Sequence, residues 1–340
     1  MNHFLPPNPP YTDKEHARVH EREVVQSLNV DSLFRKQYMT SNANEFTIEF
    51  PTSIKNVIRM KLSSVELPNT WYTFTDKNNT FEIGISYDNG DVSTNTIAIP
   101  EGNYSSLDFS EQLNTYLNNQ PANTYLEHLM FEVDEFSSKG RFRFKTYDEA
   151  QNVYNIPGVM NDNTITNDAT YQSVILTKIR YSLKFALDTQ ICNDTQMYES
   201  VGWTLGYRKT EYDFIDYFSS MTKWNTTYHG VVEAEGVFGS NKLNYLYLSV
   251  DDYVNKSKEG VLTINNSRTH LSKNILARIT VKYGSFYVNL DGDDDVVRHR
   301  DYYGPVTIEK LHVKLLDKYG NLVNLNGSDF SFILEFTQSR

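Results

Sequence analysis

The residues with the strongest claim to chemistry lie in Lys139-Gly-Arg-Phe-Arg-Phe-Lys145. Side chains of a β-strand alternate between its faces, so Arg141, Arg143 and Lys145 share one side and Phe142 and Phe144 the other. Three cations on one face repel one another unless solvent or acidic groups answer them. The stretch reads either as a solvated outer face or as a docking stripe for an acidic protein surface, phosphate or lipid head groups. Base stacking is disfavoured, because the aromatics point away from the cations. A second basic cluster, Arg298, His299 and Arg300, follows the acidic run Asp291-Gly-Asp-Asp-Asp295 and implies local charge pairing or a partner contact. The acidic run has the opening of a calcium loop, but Val296 stands where that loop needs glycine and Tyr302 where it needs glutamate.

The remaining chemical patterns are weaker. His16 and His20 are four apart and could share a metal on a helix, yet Ala17 replaces the glutamate of a metalloprotease motif. Gly202-Trp-Thr-Leu-Gly206 has the spacing of a nucleophile elbow with Thr204 in place of serine. The polar, aromatic segment that follows is no helix, so a glycine-marked strand packed closely by an aromatic is the simpler reading. Asn-x-Ser/Thr triplets such as those at Asn193 and Asn225 are expected by chance in an Asn-rich chain. One cysteine, Cys192, excludes an intramolecular disulfide framework and a zinc cluster of several thiolates. There is no P-loop and no dinucleotide fingerprint. The sequence supplies no catalytic residue, cofactor site or metal site, and the chain reads as a non-enzyme.

Composition says what must position these residues. Of 340 residues, 14% are aromatic, 24 of them Tyr and 19 Phe, while Ala occurs nine times. Such a chain favours strands over helices. The net charge of −11 disfavours a general nucleic-acid surface. No apolar run approaches the roughly 20 residues of a membrane span, and MNHFLPPNPP lacks the apolar core of a signal peptide, so a soluble protein kept in a reducing compartment is expected.

Residues 1–43 differ from the rest. Four prolines open the chain, Thr12 and Glu15 have capping-box spacing, and Asp13–Gln26 is expected as a short charged helix. From Phe46 the period becomes two. Strands are expected at 46–50, 57–66, 81–85, 94–99, 129–136, 141–147, 174–187, 201–207, 245–250, 275–281, 286–290, 306–316 and 330–336. Phe109, Leu113, Tyr116 and Leu117 mark a single amphipathic helix. The polar stretch Asp188–Ser200 marks a lobe boundary. The expected fold class is all-β, as one or two sandwiches, with an N-terminal arm over 1–43, a lobe over 44–190 and a lobe over 191–340. The similar patterns of Phe46–Phe50 and Phe332–Phe336 suggest that the last strand returns to the first.

Several stretches, in order, resemble minor capsid or capsid-associated proteins of nucleocytoplasmic large DNA viruses. They are Asp31-Ser-Leu-Phe-Arg-Lys-Gln-Tyr38, Lys61-Leu-Ser-Ser-Val-Glu-Leu-Pro-Asn-Thr-Trp-Tyr72 and Ile99-Pro-Glu-Gly-Asn-Tyr104. Val201-Gly-Trp-Thr-Leu-Gly-Tyr-Arg208, Tyr247-Leu-Ser-Val-Asp-Asp-Tyr253 and Asn274-Ile-Leu-Ala-Arg-Ile279 follow. Tyr303-Gly-Pro-Val306, Lys314-Leu-Leu-Asp-Lys-Tyr-Gly320 and the run from Leu325 to Phe332 complete the series. The resemblance spans about residue 25 to the C-terminus. It implies a jelly-roll-like virion component, assembled in the host cytoplasm, that contacts the major capsid protein and other minor capsid proteins near an inner membrane, and self-association is a further expected contact. It transfers no catalytic residue. The expected function is therefore a minor capsid protein that cements capsomers through aromatic surfaces and the N-terminal arm. The alternatives are a penton protein of the same class and a carbohydrate-binding β-sandwich, for which Trp71, Trp203 and Trp224 lie on separate segments.

Overall fold

A computed structural model describes residues 23–88, 90, 92–121, 124–150, 165–185, 197–239, 243–254, 256, 264–265, 268–269, 274–281, 286–290 and 299–339. The strands in chain order begin with β1 (Glu23–Asp31), β2 (Glu45–Pro68), β3 (Thr80–Tyr87) and β4 (Val92–Ala98). Next are β5 (Leu129–Val133), β6 (Gly140–Phe144), β7 (Ile179–Lys184), β8 (Glu211–Ile215), β9 (Met221–Lys223), β10 (Thr226–Tyr228) and β11 (Val232–Glu233). The last are β12 (Tyr245–Asp251), β13 (Ile264–Asn265), β14 (Arg268–Thr269), β15 (Ile275–Thr280), β16 (Phe286–Leu290), β17 (His299–Leu316) and β18 (Ser331–Ser339). The α-helices are α1 (Ser106–Asn118), α2 (Asp168–Val174) and α3 (Val201–Leu205). The all-β sandwich class read from composition and alternation is the class observed.

The chain divides into two compact units, one made of residues up to Asn69 and from Tyr245 onward, the other of Thr70–Asn244. This corrects the expected cut at 190. The polar stretch Asp188–Ser200 links β7 to α3 inside one unit, where Leu183 and Phe185 share a core with Val201 and Leu205.

In the first unit, one sheet runs β1-β18-β2-β17-β12-β15, with β16 also on β2. The 24-residue β2 is its spine, and the two expected strands at 46–50 and 57–66 are halves of it. Pro51 falls where the β2–β17 register jumps between Ile308↔Ile54 and Lys310↔Glu49, a bulge in which a missing backbone donor costs little. Asn56, at φ +58, marks the next irregularity. The last strand does return to the first long one, but Phe332 and Phe336 face Val65 and Met60, while 46–50 pairs with β17.

β1 is also a correction. Residues 23–26, expected as helix, are strand, paired with β18 through an unbroken register from Glu23↔Ser339 to Asp31↔Ser331. Val24, Val25 and Val30 are β-branched and suit a pleated surface better than a helix. The strand is locked at its end, where Ser32 Oγ donates to Asp329 (2.8 Å) and accepts from Phe330 N (2.9 Å). The arm expected over 1–43 is thus part of the sheet from Glu23, and its first 22 residues, with His16 and His20, lie outside the described residues.

The second unit is a sandwich. A sheet β4-β3-β7-β8 faces a sheet β11-β6-β5, and one core joins them. Phe81 of β3 meets Phe142 of β6 at 6.0 Å, and Tyr181 of β7 meets Phe144 edge-on at 5.5 Å. Tyr181 is fully buried and donates across the core to the backbone carbonyls of Gly230 and Phe142. Helix α1 forms as its pattern predicts, with Ser105 as N-cap and Phe109, Leu113 and Leu117 buried. It is not alone, since α2 and α3 are also helical. The stretch at 201–207 expected as a strand is α3, closed by Gly206 at φ +99.

Removing residues 1–31 strips β1 from β18 and exposes the flank of β18. Calorimetry should show a loss of at least about 2 kcal/mol, about 3 °C in a protein of this size.

Candidate functional site

The β5–β6 hairpin forms where alternation placed it, with Glu132↔Arg141 and Phe131↔Phe142 across the strands. Phe142 and Phe144 enter the core, and Arg141, Arg143 and Lys145 share the opposite face. That face is closed: the three residues are 5%, 3% and 1% exposed. The chain supplies its own counter-charges. Arg143 Nη2 meets Glu149 Oε1 at 2.6 Å and Glu132 Oε2 at 3.0 Å, and Nη1 meets Glu149 Oε2 at 2.8 Å. Arg141 donates to Glu132 and, at 3.4 Å, to Asp134. Burial works against the Arg143 charge, but its hydrogen bonds to Glu149 and Glu132 outweigh it and hold its pKa above the ordinary guanidinium value. The stripe expected to face solvent or a partner is an internal ladder.

The β9–β10 hairpin covers it. The Tyr228 ring lies 4.3 Å from the Arg141 guanidinium and 5.1 Å from that of Arg143, within cation–π range. Lys223 Nζ bridges Glu233 (2.6 Å) and Asp134 (3.4 Å). Asp134 therefore ties two turns together. Its Oδ1 also accepts from the amides of Phe136 and Ser137, and the Ser137 bonds above all bring its pKa down to about 2.

These ties hold two aromatic side chains outward. Phe136 on the 134–139 turn is 86% exposed, and Trp224 at the tip of β9–β10 is 87% exposed. The tip has Trp224 at φ +51 and Asn225 at φ +66, the left-handed pair of a type I′ turn, whose preferred sequence is Asn-Gly. A bulky residue kept in that conformation and left in solvent is strained without packing gain. In the first unit the loop after β1 is built alike. Arg35 joins Asp329 (2.6 Å) and stacks on Tyr38 (4.2 Å), while Phe34 and Met39 stand exposed. Exposure of single loop aromatics has no sequence periodicity, so only the resemblance motif 31–38 and the tally of tryptophans point to any of them.

Lys145 has a different environment. Its ammonium donates to Asn118 and to the backbone carbonyl of Glu127. Burial lowers its pKa to about 7 and raises that of Glu127 to about 7. Oε2 of Glu127 has no hydrogen-bond partner among the described residues. His128 is buried beside them, bonds Tyr171 at 2.8 Å, and is held neutral by burial and by Lys145, its pKa pushed down to about 3.

The other sequence candidates are accounted for individually. Arg300 is buried in the first unit, paired with Asp252 (2.7 Å), which also accepts from Tyr302 (2.6 Å). Arg298, the run Asp291–Asp295 and Cys192 lie outside the described residues. Thr204 is buried within α3, and a side chain at Gly202 would strike the Phe185 ring, so the glycine spacing serves packing. Among the described residues no group of three or more His, Cys, Asp or Glu could hold a metal ion, and no helix is long and apolar enough to cross a membrane.

Residues 18–139 match the model of a family of unknown function, DUF5901. Comparison with curated proteins gives no match. Among solved structures, the chain is similar to the mavirus penton protein, with a TM-score of 0.44 and 9% identity over 94% of this chain and 100% of that one.

Trp224→Asn should stabilise the fold by about 1 kcal/mol in thermal melts, by relieving the left-handed tip. A second expectation concerns pH. Folded Glu127 keeps its proton to about pH 7, while the unfolded carboxyl releases it near 4.5. Its contribution to stability is therefore lost as pH rises between those values. Glu127→Gln should match the native chain near pH 4 and exceed it by about 3 kcal/mol at pH 7.5 in denaturant titrations.

Proposed function

We propose that the chain is a structural component of a virion, a minor capsid protein that cements neighbouring capsomers. The observation carrying this reading is the pair Phe136 and Trp224, held in solvent by turns that a buried charge ladder fixes in place. Rigid aromatics at protruding tips lose little side-chain entropy on contact and supply the anchors of protein interfaces. The ordered resemblance to capsid-associated proteins from about residue 25 onward supports the same reading. The partners are then the major capsid protein and other minor capsid proteins. A carbohydrate-binding module is the weaker reading, because Trp203 is covered by Arg208 at 3.9 Å and shares no platform with Trp224.

The double variant Phe136→Ala/Trp224→Ala should fold with an unchanged or higher melting temperature. Co-sedimentation with capsomers of the major capsid protein should fall at least about tenfold, since each lost anchor costs about 1–2 kcal/mol. Undiminished co-sedimentation would exclude this surface as the cement.

A further inference from the structure

The exposed edges of the sheets differ in how they are guarded, and β4 has no guard among the described residues. The edge of β5 is sealed by Asn114 of α1, whose amide donates to Phe131 O and accepts from Phe131 N, both at 2.8 Å. The edge strand β8 carries Glu211 and Asp213, and β1 has Glu23 and Asp31 at its ends. Charge, coverage and proline are the usual means of preventing strand addition. β4 is Val-Ser-Thr-Asn-Thr-Ile-Ala, with no charge, no proline and an unbroken register to β3 from Thr80↔Ala98 to Ser86↔Val92. It ends its sheet, and Val92 is 56% exposed.

The outward backbone groups can be assigned. Ile99 N donates to Asn79 O at 2.8 Å, so the amides of the odd-numbered residues 93, 95 and 97 turn toward β3. Alternation then turns the N–H and C=O groups of Val92, Thr94, Thr96 and Ala98 to the open side.

We infer that β4 is a self-association edge, which adds the β4 of a second copy antiparallel across a two-fold axis through Asn95. About that residue the strand is symmetric at Thr94 and Thr96. Thr94 faces Thr96 of the second copy, Val92 faces Ala98, Ser93 faces Ile97 and Asn95 faces its own equivalent. The outward groups of each pair of even-numbered residues meet directly, Thr–Thr pairs are favourable, and no like charges are opposed. The same operation on β1, centred on Ser27, would set Glu23 against Asp31, which argues against that edge. A seven-residue strand pair buries less than the roughly 800 Å² per partner of a stable free dimer. The contact is weak in dilute solution and is populated where copies are concentrated, whatever assembly they belong to.

The test uses the full chain with Cys192→Ser and Asn95→Cys. Asn95 forms the close, non-hydrogen-bonded pair of the proposed register, with Cα atoms about 4.5 Å apart and within disulfide reach. Mild oxidation with diamide should give a covalent dimer. Adding Thr94→Pro, or independently Thr96→Pro, removes an outward amide without touching the β3 pairing and should abolish the cross-link while leaving the melting temperature within about 2 °C. Native chain should show concentration-dependent dimer in sedimentation, lost in both proline variants. Absence of the cross-link overturns the inference, as does a cross-link that persists in either proline variant. Unfolding of both proline variants also overturns it, because those amides would then be in use within the chain.

Discussion

Two guanidinium groups buried beneath a tyrosine are the constraint on which the second unit depends. A buried cation without a partner costs several kcal/mol, so Arg143 is tolerated only because Glu132 and Glu149 each meet it with two oxygens. Glu132 is shared with Arg141, Arg141 with Asp134, and Asp134 with Lys223. Each link fixes the position of the next, and the chain of pairs runs from the 146–149 turn to the tip of β9–β10. The result is geometric specificity. Hairpins as short as β9–β10 do not hold a fixed orientation by their own hydrogen bonds, and this one is clamped by Tyr228 on the ladder and Lys223 at its end. The direction in which Trp224 points is set by charges buried on the far side of its own strand pair.

The two units solve the problem of exposed sheet edges differently from strand to strand. Where an edge lies against a helix, a single asparagine can replace the missing strand, as Asn114 does for β5. Where it faces solvent, carboxylates discourage addition, as on β8. An uncharged edge beside guarded ones is informative because the same chain demonstrates the alternatives. Protruding aromatic tips and an open edge both favour contacts made between rigid bodies, with little ordering cost on association. Neither requires a cavity, and the buried titratable cluster around Lys145 is enclosed by side chains of the core.

Much of this architecture was legible in the sequence, and the failures have physical causes. The hairpin at Lys139–Lys145 followed from alternation, and its two phenylalanines face inward as expected. The fate of its cations did not follow, because the answering groups Glu149, Lys223 and Tyr228 come from a turn and from strands of three residues, too short to carry a period. Glu132 is within reach of the same argument, since the turn between the strands fixes its register opposite Arg141. Val201–Leu205 reads as a strand in the sequence because a short apolar run fits either element equally. β1 was obscured by a capping-box spacing upstream, although Val24, Val25 and Val30 favoured a strand. Prolines and bulges also hid the unity of β2, whose buried positions Val57, Met60, Leu62, Val65 and Leu67 step by three as well as by two.

Hydrogen exchange on Asp134→Ala tests the central claim most directly. That variant removes the ionic link between the ladder and the β9–β10 hairpin while leaving Arg143 paired to Glu132 and Glu149 and Tyr228 over the guanidinium groups. The account predicts faster exchange across residues 134–139 and 221–228, with Tyr181, Phe142 and the rest of the sandwich unchanged, together with weaker binding to capsomers. Unaltered protection at 221–228 would contradict it, because the exposed aromatics would then be positioned without the buried charges.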